Sequence, residues 1–219
     1  MTSRLTRKAV IVLAISLISG LLVGCTPAPQ ERGYAMAKVV DLTRQRQELL
    51  QKQLPLLQAQ TEFLLKELIA TSTFVTYFTK HGIQGAVALH ALALCKEANI
   101  PDPLIVVAII EAESEFKKAA EGFNKKDGKI TSVDRGLMQV NSKTLASMLR
   151  QDNTDPSTVD IFDPMTNITY GIRVLRWAYK AADGDIEKAL TAYNSGSPHG
   201  ASKYSDKVLR IYDRLVGGY

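Results

Sequence analysis

Between Tyr34 and Lys80 apolar side chains recur in alternating steps of four and three: Leu50, Leu54, Leu57, Thr61, Leu64, Leu68, Thr71, Val75 and Phe78. That spacing keeps one stripe on one side of an α-helix, the pattern of a heptad seam. Seven of the nine positions are apolar, so the seam is sustained rather than incidental. The stretch is rich in Gln, Leu, Lys and Glu, which lose little rotamer freedom in a helix, and His81-Gly82 supplies a glycine stop. Before Leu50 the register weakens, since Val40 fits but Thr43 and Gln47 do not. Pro55 lies inside the run and is expected to kink it or split it in two. Residues 34–82 are therefore read as a helical, coiled-coil-like segment. A helix with one seam needs a partner: either the protein's own remaining domain, or another helix, by self-association or partner binding, across Leu50–Phe78.

The N-terminus reads as an export signal. Arg4, Arg7 and Lys8 precede an apolar stretch from Ala9 to Leu22. Fourteen helical residues rise about 21 Å, short of the roughly 30 Å of hydrocarbon that a spanning helix must cross, so a signal h-region fits better. Leu22-Val23-Gly24-Cys25 resembles the lipobox of bacterial lipoproteins, in which the cysteine becomes the acylated N-terminus. That resemblance implies a signal peptide over 1–24, lipidation of Cys25, a short tether over 25–33 carrying Pro27 and Pro29, and membrane attachment through the lipid. Thr26 after the cysteine, rather than an aspartate, favours the periplasmic face of an outer membrane in a cell that has one.

Removing 1–24 takes three of the 27 basic residues and no acid, so the net charge falls from +5 to +2. No dense Lys/Arg patch is visible, which argues against nucleic acid as a partner. Hydrophobic content of 46% against 22% charge excludes global disorder. Cys95, in the apolar run Ala91-Leu92-Ala93-Leu94-Cys95, has no partner once Cys25 is acylated and is expected buried and inert.

From Gln84 the pattern shifts to shorter helices, expected over 84–98, 104–116, 142–150, 164–182, 186–193 and 204–216. Lys126-Asp127-Gly128-Lys129 reads as a hairpin turn between Phe123 and Ile130-Thr131-Ser132-Val133. The fold class is thus mainly α with one small β-hairpin, preceded by the long helical segment. Asp127-Gly128 superficially fits a calcium loop, but Phe123 and Lys125 would stand at its first and third ligand positions. His81, His90 and His199 lack metal spacing. No metal and no cofactor are expected.

Three strings carry usable chemistry: Glu113-Ser114-Glu115-Phe116, Gly136-Leu137-Met138-Gln139-Val140-Asn141 and Ala192-Tyr193-Asn194-Ser195-Gly196. On a helix Glu113 neighbours Val106, Ile109, Ile110 and Phe116, whereas Glu111 has Glu115 on one side. Glu113 is the carboxylate most surrounded by apolar groups. Desolvation there raises its pKa, as a proton donor at neutral pH requires. Met138 offers a soft apolar surface, and the Gln139 amide can both donate and accept. Tyr193-Asn194 is expected to follow its helix rather than lie within it.

The order and wording of these strings resemble the lytic transglycosylase and goose-type lysozyme family over residues 84–219. The resemblance implies a lysozyme-like (α+β) catalytic domain acting on peptidoglycan glycan strands. It implies Glu113, directly before Ser114, as the catalytic acid. It further implies Ser114, Met138, Gln139, Tyr193, Asn194 and Tyr204 as substrate-binding residues of the groove, with Asn167-Ile168 and Gly171 in packing. The expected reaction is cleavage of the β-1,4 bond between N-acetylmuramic acid and N-acetylglucosamine, leaving 1,6-anhydromuramyl ends. One departure stands out: Asp134-Arg135-Gly136 through Asn141 is similar to the animal-type lysozyme string Asp-x-Gly-x-x-Gln-x-Asn. Asp134 is therefore a candidate second catalytic carboxylate, and a hydrolytic lysozyme is the alternative chemistry. A catalytically silent wall-binding or assembly protein acting through the helical seam is the alternative of another class.

Overall fold

The heptad stretch folds as one helix, α1 (Pro29–Lys80), of 52 residues, in a computed structural model that describes residues 28–200 and 202–217. The expected signal peptide and Cys25 lie outside the described residues. α1 starts inside the stretch read as a tether, because the fixed φ of Pro29 suits a first helical turn. It also runs unbroken through Pro55, where a kink or split was expected. Pro55 cannot donate to the Gln51 carbonyl, but Gln51 is exposed, so water can satisfy that oxygen and the helix continues. The chain divides between Leu64 and Leu65 into two units. In the first unit Leu49, Leu50, Leu54, Leu56, Leu57, Phe63 and Leu64 are all exposed. In the second, Phe74 and Phe78 are buried, their ring centroids 5.1 Å apart.

Among the described residues six further α-helices build the second unit: α2 (Gly85–Ala98), α3 (Leu104–Ser114), α4 (Ser142–Gln151), α5 (Pro164–Ala181), α6 (Ile186–Ser195) and α7 (Lys203–Gly217). α3 is its axis. All six residues from Ile105 to Ile110 are 2% exposed or less, and a helix apolar all round is a buried one. It packs on α7, which packs on α6, while α5 lies against α2 and α6. Cys95 on α2 is buried in this core, and burial pushes its thiol up to about 12, which leaves it unreactive.

α3 ends earlier than Phe116. Glu115 and Phe116 take left-handed φ of 50° and 63°, turning the chain out of the helix. Phe116 packs edge-on to Phe78 at 6.0 Å and beneath the stacked ring of His81 at 4.1 Å. That contact fixes the turn behind Glu113.

The hairpin forms as expected, β1 (Glu121–Lys126) with β2 (Lys129–Arg135), around Asp127 and Gly128, both at positive φ as a two-residue turn of this kind demands. The structure adds a third strand, β3 (Val140–Asn141), antiparallel to β2 at Asp134 and Arg135. Two residues are too few to show a period of two, so the strand left no pattern in the sequence. Between β2 and β3 Gly136 has a φ of +77°, and a Cβ there would lie 2.1 Å from Asn167 Nδ2. Only glycine fits both demands.

Candidate active site

Glu113 sits in the last turn of α3, at the side of a cleft of about 700 Å³. Burial pushes its carboxyl up to about 7, assisted by the nearby negative charge of Asp134 and opposed by a Tyr204 hydrogen bond and the Lys207 charge. The Tyr204 hydroxyl donates to Glu113 Oε1 at 2.6 Å. Its neighbours are differently placed. Glu111 is paired with Arg214 at 2.5 Å, and exposed Glu115 with Lys117 at 2.8 Å, which lowers its pKa. Of the three glutamates on this turn, only Glu113 lines the cleft.

The segment from Gly136 to Gln139, which brings Gln139 to the cleft and buries Leu137 and Met138 behind it, underlies the floor, and α3, α5 and α6 each hold it. Buried Ser114 has its Oγ 2.8 Å from the Leu137 carbonyl. Asn167, fully buried, accepts from Met138 N at 2.8 Å and donates to the carbonyls of Arg135 and Ile161 at 2.8 and 3.0 Å. The Tyr193 hydroxyl donates to the Met138 carbonyl at 2.7 Å. Tyr193 and Tyr204 stack at 6.4 Å and 15°, so the two tyrosines tie the acid to the floor. Burial raises both phenols, which keeps them protonated as donors.

Three expected roles change with this geometry. Ser114 faces the Leu137 carbonyl rather than the cleft, because its helical position points at the loop. The Met138 side chain is fully buried and lies so close to α5 that a Cβ at Gly171 would be 2.4 Å from its sulfur. It supports the floor from beneath instead of presenting a sugar-facing surface. Gln139, at a φ of 46°, does line the cleft, but its Nε2 donates to Ala120 and Gly136 carbonyls at 3.1 and 2.9 Å. Both amide hydrogens are used internally, so toward a ligand it is an acceptor. Tyr193 and Asn194 also line the cleft, from the last turn of α6 rather than after it.

Asp134 on β2 faces the same cleft. Its two carboxylate oxygens accept from the amides of Asn141 and Asn124, each at 2.7 Å, so it is a held charge. Asn141 closes one of the strings singled out in the sequence, though without a role, while sequence reasoning passed over Asn124, and also Trp177 and Arg173 on α5, which line the cleft. The i, i+4 spacing of Arg173 and Trp177 was the only signal for the latter pair. Among the described residues no group of three or more His, Cys, Asp or Glu side chains could hold a metal ion.

Residues 94–208 match the Transglycosylase SLT domain family. A protein of Escherichia coli O157:H7 described as a peptidoglycan-binding-like protein is 30% identical over 151 residues, 65% of this chain and 89% of its own length. Among solved structures, an inactive mutant of the lytic transglycosylase Slt from Pseudomonas aeruginosa aligns with a TM-score of 0.47 at 19% identity over 59% of this chain. This chain covers 24% of that enzyme's length.

Proposed function

Because the chain belongs to the transglycosylase SLT family, we propose that it cleaves the β-1,4 bond between N-acetylmuramic acid and N-acetylglucosamine in peptidoglycan. The observation that carries this reading is Glu113, a cleft carboxyl pushed up to about 7 and oriented by Tyr204. Near neutral pH such a group exists in both protonation states, so it can serve as acid and then as base.

In the first step Glu113 gives its proton to the glycosidic oxygen as the bond to the muramyl C1 breaks. The carboxylate then removes the proton of the muramyl 6-hydroxyl, and that oxygen bonds to C1. The glycan gains a 1,6-anhydro end, no water is consumed, and Glu113 regains its proton. Between the steps the muramyl N-acetyl oxygen shields C1, the substrate-assisted route that needs only one enzymic carboxylate. Gln139 Oε1 is free of the floor's own donors and suits an acetamido N–H. Asn194 at the rim is the further polar contact. Asp134, held by two amides rather than left to attack, acts through its charge by keeping Glu113 protonated. A hydrolytic second reading remains specific to one observation, that Asp134 and Glu113 share the cleft.

Two further parts belong to this reading. Acylated Cys25 holds the enzyme to the membrane at the cell envelope, and its intact mass reports the acyl groups. The exposed apolar positions of α1 recur at the spacing of a seam that a second copy of itself would match, which supports self-association.

Mass analysis of the muropeptides released from purified sacculi tests the chemistry directly. The reading expects 1,6-anhydromuramyl products that disappear with Glu113→Gln. Predominantly reducing-end muramic acid products, with a dead Asp134→Asn, would make the protein a lysozyme instead.

A further inference from the structure

We propose that Trp177 is the stacking platform of a glycan subsite displaced along the cleft from the catalytic floor, and that this subsite makes the enzyme favour long strands over short fragments. The proposal rests on the cleft being a glycan site. Of the large apolar side chains that the described residues from 84 onward leave exposed, Trp177 alone lines the cleft. It is 47% exposed, on a helix whose inner face is already filled by Ile168, Ile172 and Leu175. An indole left half in water adds little to that packing. In a cleft it offers a flat, rigid apolar face with a single N–H at its edge.

The surroundings fit one kind of ligand. Arg173, one turn earlier, is held by both oxygens of Asp152 at 2.5 and 3.0 Å and lies 5.3 Å over the Tyr170 ring. Its guanidinium is thus fixed before any ligand arrives and forms a polar wall beside the indole. Met148 and Val174 extend the apolar floor, and Gln151 supplies a neutral amide at the edge. A flat apolar patch rimmed by fixed polar groups suits a pyranose, which shows an apolar C–H face and an equatorial ring of hydroxyl and acetamido groups. A β-1,4-linked N-acetylhexosamine is the class that matches the rest of the cleft.

Position gives the consequence. The catalytic floor meets α5 at Asn167 and Gly171, and Trp177 stands six to ten residues further on, about 9–15 Å along the helix axis at 1.5 Å per residue. A sugar on Trp177 is therefore not the one whose bond is broken at Glu113. A disaccharide bound across the floor leaves Trp177 bare, and only a longer strand covers it.

The test uses an accident of composition: the chain has one tryptophan, so its intrinsic emission reports on this subsite alone. In a Glu113→Gln background, chitohexaose should change the emission on binding, while chitobiose should leave it nearly unaltered. By calorimetry Trp177→Ala should weaken chitohexaose binding about tenfold, the usual scale for losing a buried aromatic anchor, with Trp177→Phe in between. On sacculi Trp177→Ala should raise KM and lower kcat/KM by the same factor, with Trp177→Phe again in between. Matched circular dichroism melts show that the variants are folded. Chitohexaose that gives heat but no emission change, or Trp177→Ala binding within twofold of the parent, overturns the subsite. Heat absent while wild type still solubilises sacculi overturns it as well. Wild type inactive on sacculi under all conditions instead defeats the enzymic reading, and the subsite with it.

Discussion

Replacing Glu113 by glutamine should abolish sacculus cleavage and at the same time stabilise the protein in alkaline solution. The folded carboxyl titrates near 7 against an ordinary 4.5, a rise worth about 3 kcal/mol. The sign follows from linkage: between those values the native state binds more protons than the unfolded chain, so wild-type stability falls as pH rises through the window. Below about pH 4.5 the carboxyl is neutral in both states and nothing is lost. Above about pH 7 the full cost of holding a desolvated carboxylate is present. Glutamine is nearly isosteric, can still accept the Tyr204 hydroxyl, and carries no charge. The variant should match wild type at pH 4 and melt roughly 6–12 °C higher at pH 8, at about 2–4 °C per kcal/mol for a chain of this size. Calorimetric melts at the two pH values, run beside muropeptide release, read both effects. Glu111→Gln and Glu115→Gln, which touch surface ion pairs, should keep most activity and show no such pH-dependent gain. A Glu113→Gln protein no more stable than wild type at pH 8 would refute the desolvated acid, and retained cleavage would refute its role.

Tyr204→Phe removes the donor at 2.6 Å from Glu113. A hydrogen bond to a charged group is worth about 1.5–3 kcal/mol, so the alkaline limb of the pH–rate profile should move up by about one to two units while the maximal rate falls. An unmoved limb, or one displaced to lower pH, contradicts the contact. Asp134→Asn should act in the opposite direction, because loss of a negative neighbour lowers the Glu113 pKa. The alkaline limb then moves to lower pH with anhydro products retained, whereas a rate loss on the order of 10² or more with hydrolytic products would give Asp134 the larger part. Leu57→Lys with Leu64→Lys should turn a self-associating protein monomeric in analytical ultracentrifugation without changing its rate on sacculi. Identical sedimentation of parent and double variant would remove α1 as the contact.

The parts of the site that local spacing determines were legible before folding. Three glutamates in five residues differ in their i±3 and i±4 neighbours, and that alone separates Glu113 from Glu111 and Glu115. The Asp127-Gly128 turn declares its hairpin because few residues tolerate those φ values. What escaped is decided by backbone direction at single residues. Left-handed Gln139 after left-handed Gly136 sends Met138 under the floor and its amide back onto Ala120, and no periodicity encodes that reversal. Asn194 and Tyr193 stay helical because Gly196, at a φ of +78°, supplies the stop, so the helix ends at Ser195, two residues later than expected. Pro55 leaves the helix unbroken for a reason outside sequence rules: Gln51, whose carbonyl it orphans, is an exposed residue that water can reach. Trp177 was invisible because an amphipathic helix pattern does not distinguish an indole over a cleft from one over bare surface.

Asn167 concentrates the floor's dependence on tertiary geometry into one side chain, and Asn167→Asp tests it most sharply. The substitution changes hardly any volume, so no cavity is opened and packing against Gly136 is kept. It removes both donors. The carbonyls of Arg135 and Ile161, now served at 2.8 and 3.0 Å, would face a carboxylate oxygen instead of an amide N–H. Only the bond from Met138 N survives. An unpaired buried polar group costs about 1–3 kcal/mol, and more when charged, so Asp must protonate or the floor must yield. Either way the fold should lose about 3–5 kcal/mol, the scale for breaking a buried charged network. The loss should be smaller in acid, where the neutral carboxyl recovers one donor, and larger as pH rises, opposite in direction to the change made at Glu113. Asn167→Ala, which also loses the bonds but buries no charge, should be destabilised without that pH dependence. If Asn167→Asp melted like wild type at every pH, the amide's donors would not be what holds the catalytic floor in register with the acid.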